Sequence, residues 1–182
     1  MEVLEAIRTR RSVRQYKATP IDDKTLELIL EAARWAPSWS NTQCWRFIVV
    51  RDDKVKKELA TTIPKANRAR DCVENAPVTI VACAEIGKAG YLHGKFIPDK
   101  NEWWYMFDIA LAMQNLVLAA HSLGLGTVYT GWFDPQKAAS ILGVPPGFSV
   151  VAMTPLGYPD LKPKTTPRRE LSQTVFYDKF KS

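Results

Sequence analysis

The 182-residue sequence predicts an α+β fold in which roughly four strands pack against several helices. Short runs rich in β-branched residues alternate with segments whose apolar side chains recur at helical spacing. One long apolar stretch, residues 103–123, contains several polar residues and is typical of a central core helix rather than a membrane span. No linker rich in glycine, serine and proline divides the chain, so we expect a single domain over residues 1–182.

The first elements are predicted to be two helices and a strand. Residues 2–9 carry apolar side chains at helical spacing. The second helix is expected to begin after Asp22, a good N-cap residue, and to end at Pro37. Residues 46–50 are mostly β-branched and aromatic, which favours a strand.

The middle of the chain is predicted to hold two short helices, at 54–61 and 66–75, before the next strand. That strand, 78–83, is an unbroken apolar run and indicates burial on both faces. Residues 86–102 contain three glycines and a proline, so we expect them to be irregular. The central helix follows, with Gly124 as its C-cap.

The last third is predicted to add two strands and one helix. A strand begins at 127–129, and a helix begins at Asp134 with proline as its first residue and ends at Gly143. A further strand covers 149–154. The proline-rich tail after Gly157 is expected to be extended and to wrap around a partner.

Composition leaves several function classes open and excludes others. The net charge is +6, which suits an anionic small ligand or nucleic acid equally well. The three cysteines form no CxxC pair, and the first residues lack the apolar core of a signal peptide, so we expect reduced thiols in the cytoplasm. Two separated histidines and no Cys/His cluster predict no metal site.

Basic side chains are concentrated near both ends of the chain. The first group follows the first helix and consists of Arg8, Arg10, Arg11 and Arg14, with Ser12 among them. The second group lies in the tail and consists of Lys162, Lys164, Arg168 and Arg169. Guanidinium groups suit phosphate, so both groups could converge on one anion. Alternatively, they form solvated basic surfaces, which are common at helix C-termini.

Two other segments are candidate ligand contacts. Residues 37–45 place amides and small hydroxyls between two tryptophans, a composition that fits a heterocycle or, equally, an ordinary polar loop. Gly131 follows a predicted strand, where a glycine lets backbone approach a ligand closely. The Gly124-x-Gly126 pair follows a helix rather than a strand, which argues against a dinucleotide fingerprint.

Taken together and in order, these segments resemble the FMN-dependent nitroreductase family. The matching segments are RTRRSVRQY, EAARWAPSWSNTQCWRFIVV, ENAPVTIVACA, DIALAMQNLVLAAHSLGLGT, FDPQKAASILGVPPG, PLGYPDLKPK and RRELSQTVFYD. The resemblance implies a mostly antiparallel sheet of four to five strands flanked by helices. It also implies a homodimer with FMN at the interface and the C-terminal tail swapped onto the partner.

The same resemblance implies an activity. NADH or NADPH would reduce the flavin, and a small acceptor such as a nitroaromatic or a quinone would then take the electrons in a ping-pong sequence. No nucleic acid and no membrane partner is expected. A flavin store or sensor, and a basic nucleic-acid-binding module, are the alternatives.

The resemblance also implies roles for particular residues. The segment that holds the phosphate and pyrimidine side of FMN is matched by Arg10, Arg11, Ser12 and Arg14, and the tail arginine by Arg168. The loop supplied by the other subunit is matched by Pro37, Ser38, Ser40 and Asn41. The backbone against the flavin ring is matched by Tyr129, Thr130, Gly131 and Trp132, and a polar ring contact by Asn67 or Arg70. The flavin N5 carries the chemistry, while Arg14 and Gly131 tune it.

Two positions depart from the family pattern, and one segment matches nothing fixed. Cys44 stands where the family usually has proline, and Thr166 stands where the tail commonly has lysine. Residues 86–104 are expected to shape the substrate pocket.

Overall fold

The computed structural model describes residues 1–97 and 102–180. Its helices are α1 (Val3–Thr9), α2 (Asp23–Arg34), α3 (Asp53–Ala60), α4 (Ala69–Asn75), α5 (Trp104–Ser122) and α6 (Pro135–Leu142). Its strands are β1 (Trp45–Val50), β2 (Val78–Glu85), β3 (Tyr91–Leu92), β4 (Lys95–Phe96), β5 (Gly126–Thr127) and β6 (Phe148–Gly157). The predicted α+β class is confirmed.

The core is a four-stranded antiparallel sheet in the order β1-β2-β6-β5. Seven of the eight β2 residues are buried, as the unbroken apolar run predicted. The long helix α5 packs against α2 and the sheet through side chains such as Leu116 and Val117. Burial of this apolar surface is the main stabilising contribution, at about 25 cal/mol per Å².

The predicted helix ends are largely confirmed by their hydrogen bonds. The Asp22 carboxylate accepts from the Thr25 N–H, and Asp134 accepts from the amides of the first turn of α6. The left-handed Gly143 ends that helix as expected. Leu123 rather than Gly124 is the C-cap of α5, and Gly124 is the next residue, whose N–H donates to His121 in a Schellman-type ending.

Residues 86–102 were expected to be irregular, and this expectation is wrong for part of the segment. Strands β3 and β4 form a small hairpin across His93 and Gly94. Both turn residues have positive φ, the pattern of a tight hairpin turn. The Tyr91 and Phe96 rings pack across it with centroids 5.4 Å apart. Residues 98–101 of the same segment lie outside the described residues.

The boundaries of three elements also differ from the prediction. Helix α4 begins at Ala69 instead of 66, because the Asn67 side chain accepts the Ala69 N–H and fixes the preceding turn. The strand predicted at 127–129 ends at Thr127, and the sheet regains contact only at Thr130, which forms a bridge with Met153. The last strand is longer than predicted, reaching Gly157.

Two paired glycines allow the segment after α1 to lie on the sheet. Gly126 and Gly157 face each other in the β5–β6 register. A Cβ on Gly126 would lie 2.6 Å from Val13, and one on Gly157 would lie 3.0 Å from Tyr16. Because neither position carries a side chain, residues 12–16 can lie directly against the sheet.

Candidate functional site

An open groove of about 1070 Å³ brings the two basic groups of the sequence together. Its N-terminal wall is formed by residues 10–16, its C-terminal wall by the first part of the tail, and a third side by residues around α4. Among the predicted site residues, the groove is lined by Arg10, Arg11, Ser12, Arg14 and Arg168. Ligand pockets commonly have volumes of roughly 300–1,000 Å³, so this groove is large enough for a mononucleotide.

The N-terminal wall is held by backbone pairing with the sheet edge. The Val13 N–H donates to the Thr127 carbonyl at 2.9 Å, and Ser12 forms a parallel bridge with Thr127. The Tyr16 hydroxyl donates to the Val13 carbonyl at 2.6 Å. These bonds hold the segment along the groove, which every residue from Arg10 to Tyr16 lines, Ser12 and Arg14 included.

The tail wall begins with a second set of backbone bonds. The Asp160 N–H donates to the Gln15 carbonyl at 3.0 Å, and Tyr16 bridges to Pro159. Farther along, the Arg168 guanidinium donates to the Thr166 hydroxyl at 3.0 Å. Thr166 therefore orients Arg168 instead of supplying the positive charge of a lysine.

The groove carries a large excess of positive charge. Its cationic side chains are Arg10, Arg11, Arg14, Arg68, Lys162, Lys164 and Arg168, and its carboxylates are Asp71 and Asp160. None of these cations takes part in an ion pair among the described residues. Unpaired cations held close together repel one another, so the arrangement favours a bound anion.

Arg11 is turned partly toward its own backbone. One terminal nitrogen donates to the carbonyls of Arg8 at 2.6 Å and Arg10 at 2.8 Å, at the end of α1. Its Nε is buried with no partner in the described chain. A buried donor without an acceptor is costly, and an anion in the groove would relieve that cost.

The predicted strand-end contacts lie together near Asn67. The Asn67 side-chain amide donates to the Trp132 carbonyl at 3.4 Å. Tyr129 and Trp132 are exposed, whereas Thr130 is buried. A Cβ on Gly131 would meet nothing within 4 Å, so the chain itself imposes no need for glycine there. Although Tyr129 is 42% exposed, partial desolvation of its hydroxyl raises its pKa to about 12, so the phenol stays protonated and donates to Gln114 at 3.1 Å.

The polar loop at 37–44 does not line the groove of its own chain. Pro37, Ser40 and Asn41 are exposed on a different surface. Ser40, Asn41 and Gln43 all have positive φ, between 44° and 55°. Such conformations in residues other than glycine cost about 1–3 kcal/mol each and cluster at functional sites. The loop is therefore a strained, outward-facing element.

The surroundings of the three cysteines keep their thiols protonated, so none of them is an ionised nucleophile. All three are free and buried. Burial raises the pKa of Cys72, raises that of Cys83 to about 11 and, together with the charge of Asp108, raises that of Cys44 to about 12. No cluster of potential metal ligands occurs within residues 1–97 and 102–180. In the same ranges, no helix is both long and apolar enough to cross a membrane.

Three cationic residues of the groove were not among the predicted site residues. Lys162 and Lys164 belong to the basic group of the tail, so their charge was the available signal. Arg68 had no such signal, because it precedes α4 in a turn, and the prediction favoured the neighbouring Asn67. Only the packing of α4 next to residues 14–16 reveals its position, as in the 3.4 Å contact of the Cys72 thiol with the Arg14 carbonyl.

The fold and the groove define an α+β protein with a strongly basic groove that residues from both ends of the chain line. The family model described as "Nitroreductase family" matches residues 7–158. The chain therefore belongs to the nitroreductase family, and the resemblance seen in the sequence is confirmed.

Known proteins of this fold agree with that membership. A nitroreductase family protein from Clostridium novyi NT is 39% identical, with a TM-score of 0.78 and 87% of each chain covered. The NADPH:FMN oxidoreductase of Vibrio harveyi, solved with NAD+, is 29% identical, with a TM-score of 0.84 over 99% of this chain and 78% of that one. An NADH dehydrogenase of Thermus thermophilus is 30% identical over 192 residues, covering 92% of each protein. These names agree with the predicted class of NAD(P)H-dependent oxidoreductase.

Proposed function

We propose that this chain is an FMN-dependent oxidoreductase that takes electrons from NADH or NADPH and passes them to a small organic acceptor. The convergence of Arg10, Arg14 and Arg168 on one groove carries the proposal. Arg168 lies more than 150 positions from Arg10 and Arg14 in the sequence, yet all three line the same cavity and have no ion-pair partners among the described residues. Such a site suits the phosphate of a flavin mononucleotide.

Each part of the site has a distinct task in this proposal. Arg10 and Arg168 bind the phosphate, with Lys164 and Arg68 adding charge at the groove wall. When bound, FMN supplies the two-electron redox chemistry that links NAD(P)H to the acceptor. Arg14, exposed at the same groove, stabilises negative charge on the ligand and so favours its reduced form.

The proposed enzyme is a homodimer. Helix α1 exposes Val3, Leu4 and Ile7, each more than half accessible, on a face that its own chain does not cover. The tail exposes Leu171, Phe176, Tyr177 and Phe180. Apolar surface of this extent favours association, and a second copy is the partner that the family resemblance implies. In that dimer, Pro37, Ser38, Ser40 and Asn41 complete the partner's flavin site.

The acceptor is proposed to be a nitroaromatic, a quinone or a related flat molecule that occupies the place NAD(P)H has left. Exposed Tyr129 and Trp132 at the strand end offer aromatic surface for such rings. Alternate use of one place predicts ping-pong kinetics. Parallel lines in double-reciprocal plots support this order, and intersecting lines contradict it.

The visible absorption spectrum of the purified protein, with FMN added and oxygen excluded, tests the proposal. We expect a bound-flavin spectrum that bleaches on addition of NADH or NADPH and returns when a quinone is added. A bound flavin that neither nucleotide bleaches would contradict the reductase and favour a flavin store or sensor. A protein that binds no FMN but binds DNA with steep salt dependence would favour the nucleic-acid alternative.

A further inference from the structure

The buried carboxylate of Asp108 lies beneath the strained polar loop and contacts both of its ends. Asp108 is on α5 and is only 1% exposed. The Trp39 backbone N–H donates to both carboxylate oxygens at 3.1 Å. The Cys44 thiol donates to Oδ2, with sulfur and oxygen 3.7 Å apart. One side chain on the central helix thus joins the first and last turns of the loop.

The hydrogen bonds that the loop makes within itself are local and do not tie it to the core. The Asn41 and Thr42 N–H groups donate to the carbonyls of Ser38 at 3.1 Å and Trp39 at 2.9 Å. The Gln43 N–H donates to the Ser38 hydroxyl at 3.0 Å, and the Gln43 side chain donates to Asn41 at 3.2 Å. Against these bonds stand three left-handed residues that are not glycine. Strained backbone persists only where the surroundings fix it. Asp108 and the Trp39–Trp104 edge contact, with centroids 5.0 Å apart, are the surroundings that reach this loop from α5.

The carboxylate is an unusual choice for a position that only fills the core. Burial raises the pKa of Asp108, and hydrogen bonds from the Trp39 N–H, the Cys44 thiol and the Trp104 side chain oppose that rise. The sequence around it on α5 is otherwise apolar, with buried Ile109, Ala112 and Met113. A buried charged group is costly unless it is well hydrogen-bonded, and two of the three donors to Asp108 belong to the loop, while Trp104 belongs to α5 itself.

We propose that Asp108 is a positioning residue, which holds the 37–44 loop in the conformation that completes the flavin site of the partner subunit. The flavin part of this inference rests on the proposed function; the loop part does not. Cys44 gains a role as well. A proline at this place would stiffen the loop by fixing its own φ, whereas this chain ties the loop end to the central helix through a thiol.

Limited proteolysis of the full-length protein tests the loop part without flavin. Chymotrypsin cleavage after Trp39 is compared with cleavage after Phe47 in β1, with fragments quantified by mass spectrometry. We expect Asp108→Leu to raise the ratio of cleavage after Trp39 to cleavage after Phe47 at least tenfold. Asp108→Asn, which keeps one acceptor oxygen, should raise this ratio less. Leu116→Ala, on the same helix but in the core, is the matched control and leaves the ratio within twofold. An unchanged ratio in both Asp108 variants overturns the inference.

FMN titration of the same variants tests the flavin part. We expect the FMN dissociation constant to rise at least tenfold in Asp108→Leu and to stay within twofold in Leu116→Ala. Adding Gln43→Gly to Asp108→Asn relieves one left-handed position and restores part of the affinity. If the wild type binds no FMN, the proposed function fails while proteolysis still decides the role of Asp108. If the wild type binds FMN and the Asp108 variants bind it equally well, the positioning role is wrong. Should Asp108→Leu not fold, Asp108→Asn carries both tests.

Discussion

Strand β2 and the C-terminal tail are the extremes of burial in this chain, although both contain large apolar side chains. Seven of the eight β2 residues are buried, whereas every residue from Lys164 to Phe180 is exposed. The sheet packs against helices of its own chain. The tail packs against little of its own chain, yet it carries Arg168 and a group of aromatic residues. In the proposed dimer, the sheet provides stability and the tail serves binding and association.

Removal of the aromatic end of the tail should have the largest effect. A chain that stops after Glu170 keeps Arg168 but loses Phe176, Tyr177 and Phe180. We expect it to become monomeric and to bind FMN at least 100-fold more weakly, because half of each proposed site comes from the partner. Light scattering and FMN titration measure both effects. A melting temperature close to that of the full chain shows that the sheet is intact, and a truncated chain that stays dimeric would contradict this role of the tail.

Neutralising one phosphate contact should have the next largest effect. Arg10→Ala or Arg168→Ala should weaken FMN binding about 10- to 100-fold, since a hydrogen bond to a charged group contributes about 1.5–3 kcal/mol. Arg169→Ala is the matched control, because Arg169 is next in sequence but does not line the groove. Equal losses of FMN affinity in Arg168→Ala and Arg169→Ala would mean that the overall positive charge, and not a specific contact of Arg168, accounts for the effect.

Substitutions at two glycines should distinguish an effect on ligand binding from an effect on folding. Gly131→Ala should change the free energy of unfolding by less than about 0.5 kcal/mol, because the added methyl meets no protein atom. It should weaken FMN binding about tenfold if the flavin lies against this backbone, since overpacking costs about 1–3 kcal/mol. Gly143→Ala should do the reverse, because Gly143 has a φ of +64° and lies at the end of α6. Denaturant unfolding and FMN titration of both variants check the contrast.

The smallest expected effect concerns the three cysteines, whose thiols should not react with a labelling reagent in the folded protein. The pKa of Cys44 is about 12 and that of Cys83 about 11, both above the ordinary value of 9.0. The thiolate fraction at pH 8 is therefore far below that of a free cysteine, and both side chains are also buried. A disulfide reagent such as DTNB should label none of the three cysteines at pH 8 until urea unfolds the chain. Rapid labelling of the native protein would contradict the buried positions.

The sequence predicted the sheet and its helices well, because their signals are local. The apolar run of β2 and the Asp134–Pro135 start of α6 depend on neighbouring residues alone. The hairpin at Tyr91–Phe96 was missed because glycines that typify irregular chain also form tight turns. In the candidate site, charge and family pattern predicted Arg10 and Arg168, and both line the groove. The position of Arg68 in the groove, by contrast, arises from long-range packing that no local pattern encodes.

The contacts of Asp108 are a second feature that the sequence could not predict, because they too are long-range. In the sequence it only interrupts an apolar helix, and the bond to Trp39 spans 69 positions. The strain in the loop was equally hidden, since serine, asparagine and glutamine adopt ordinary backbone conformations in most contexts. Both features become visible only when the fold brings α5 beneath the loop.

A comparison of FMN with riboflavin tests the central claim most directly, because the two ligands differ only by the phosphate. Dissociation constants for both are measured by flavin fluorescence with the wild type and with Arg10→Ala and Arg168→Ala combined. The account predicts that the wild type binds FMN at least 100-fold more tightly than riboflavin and that the double variant loses most of this difference while its riboflavin affinity is unchanged. Equal affinities for the two ligands in the wild type would contradict a phosphate site in the groove.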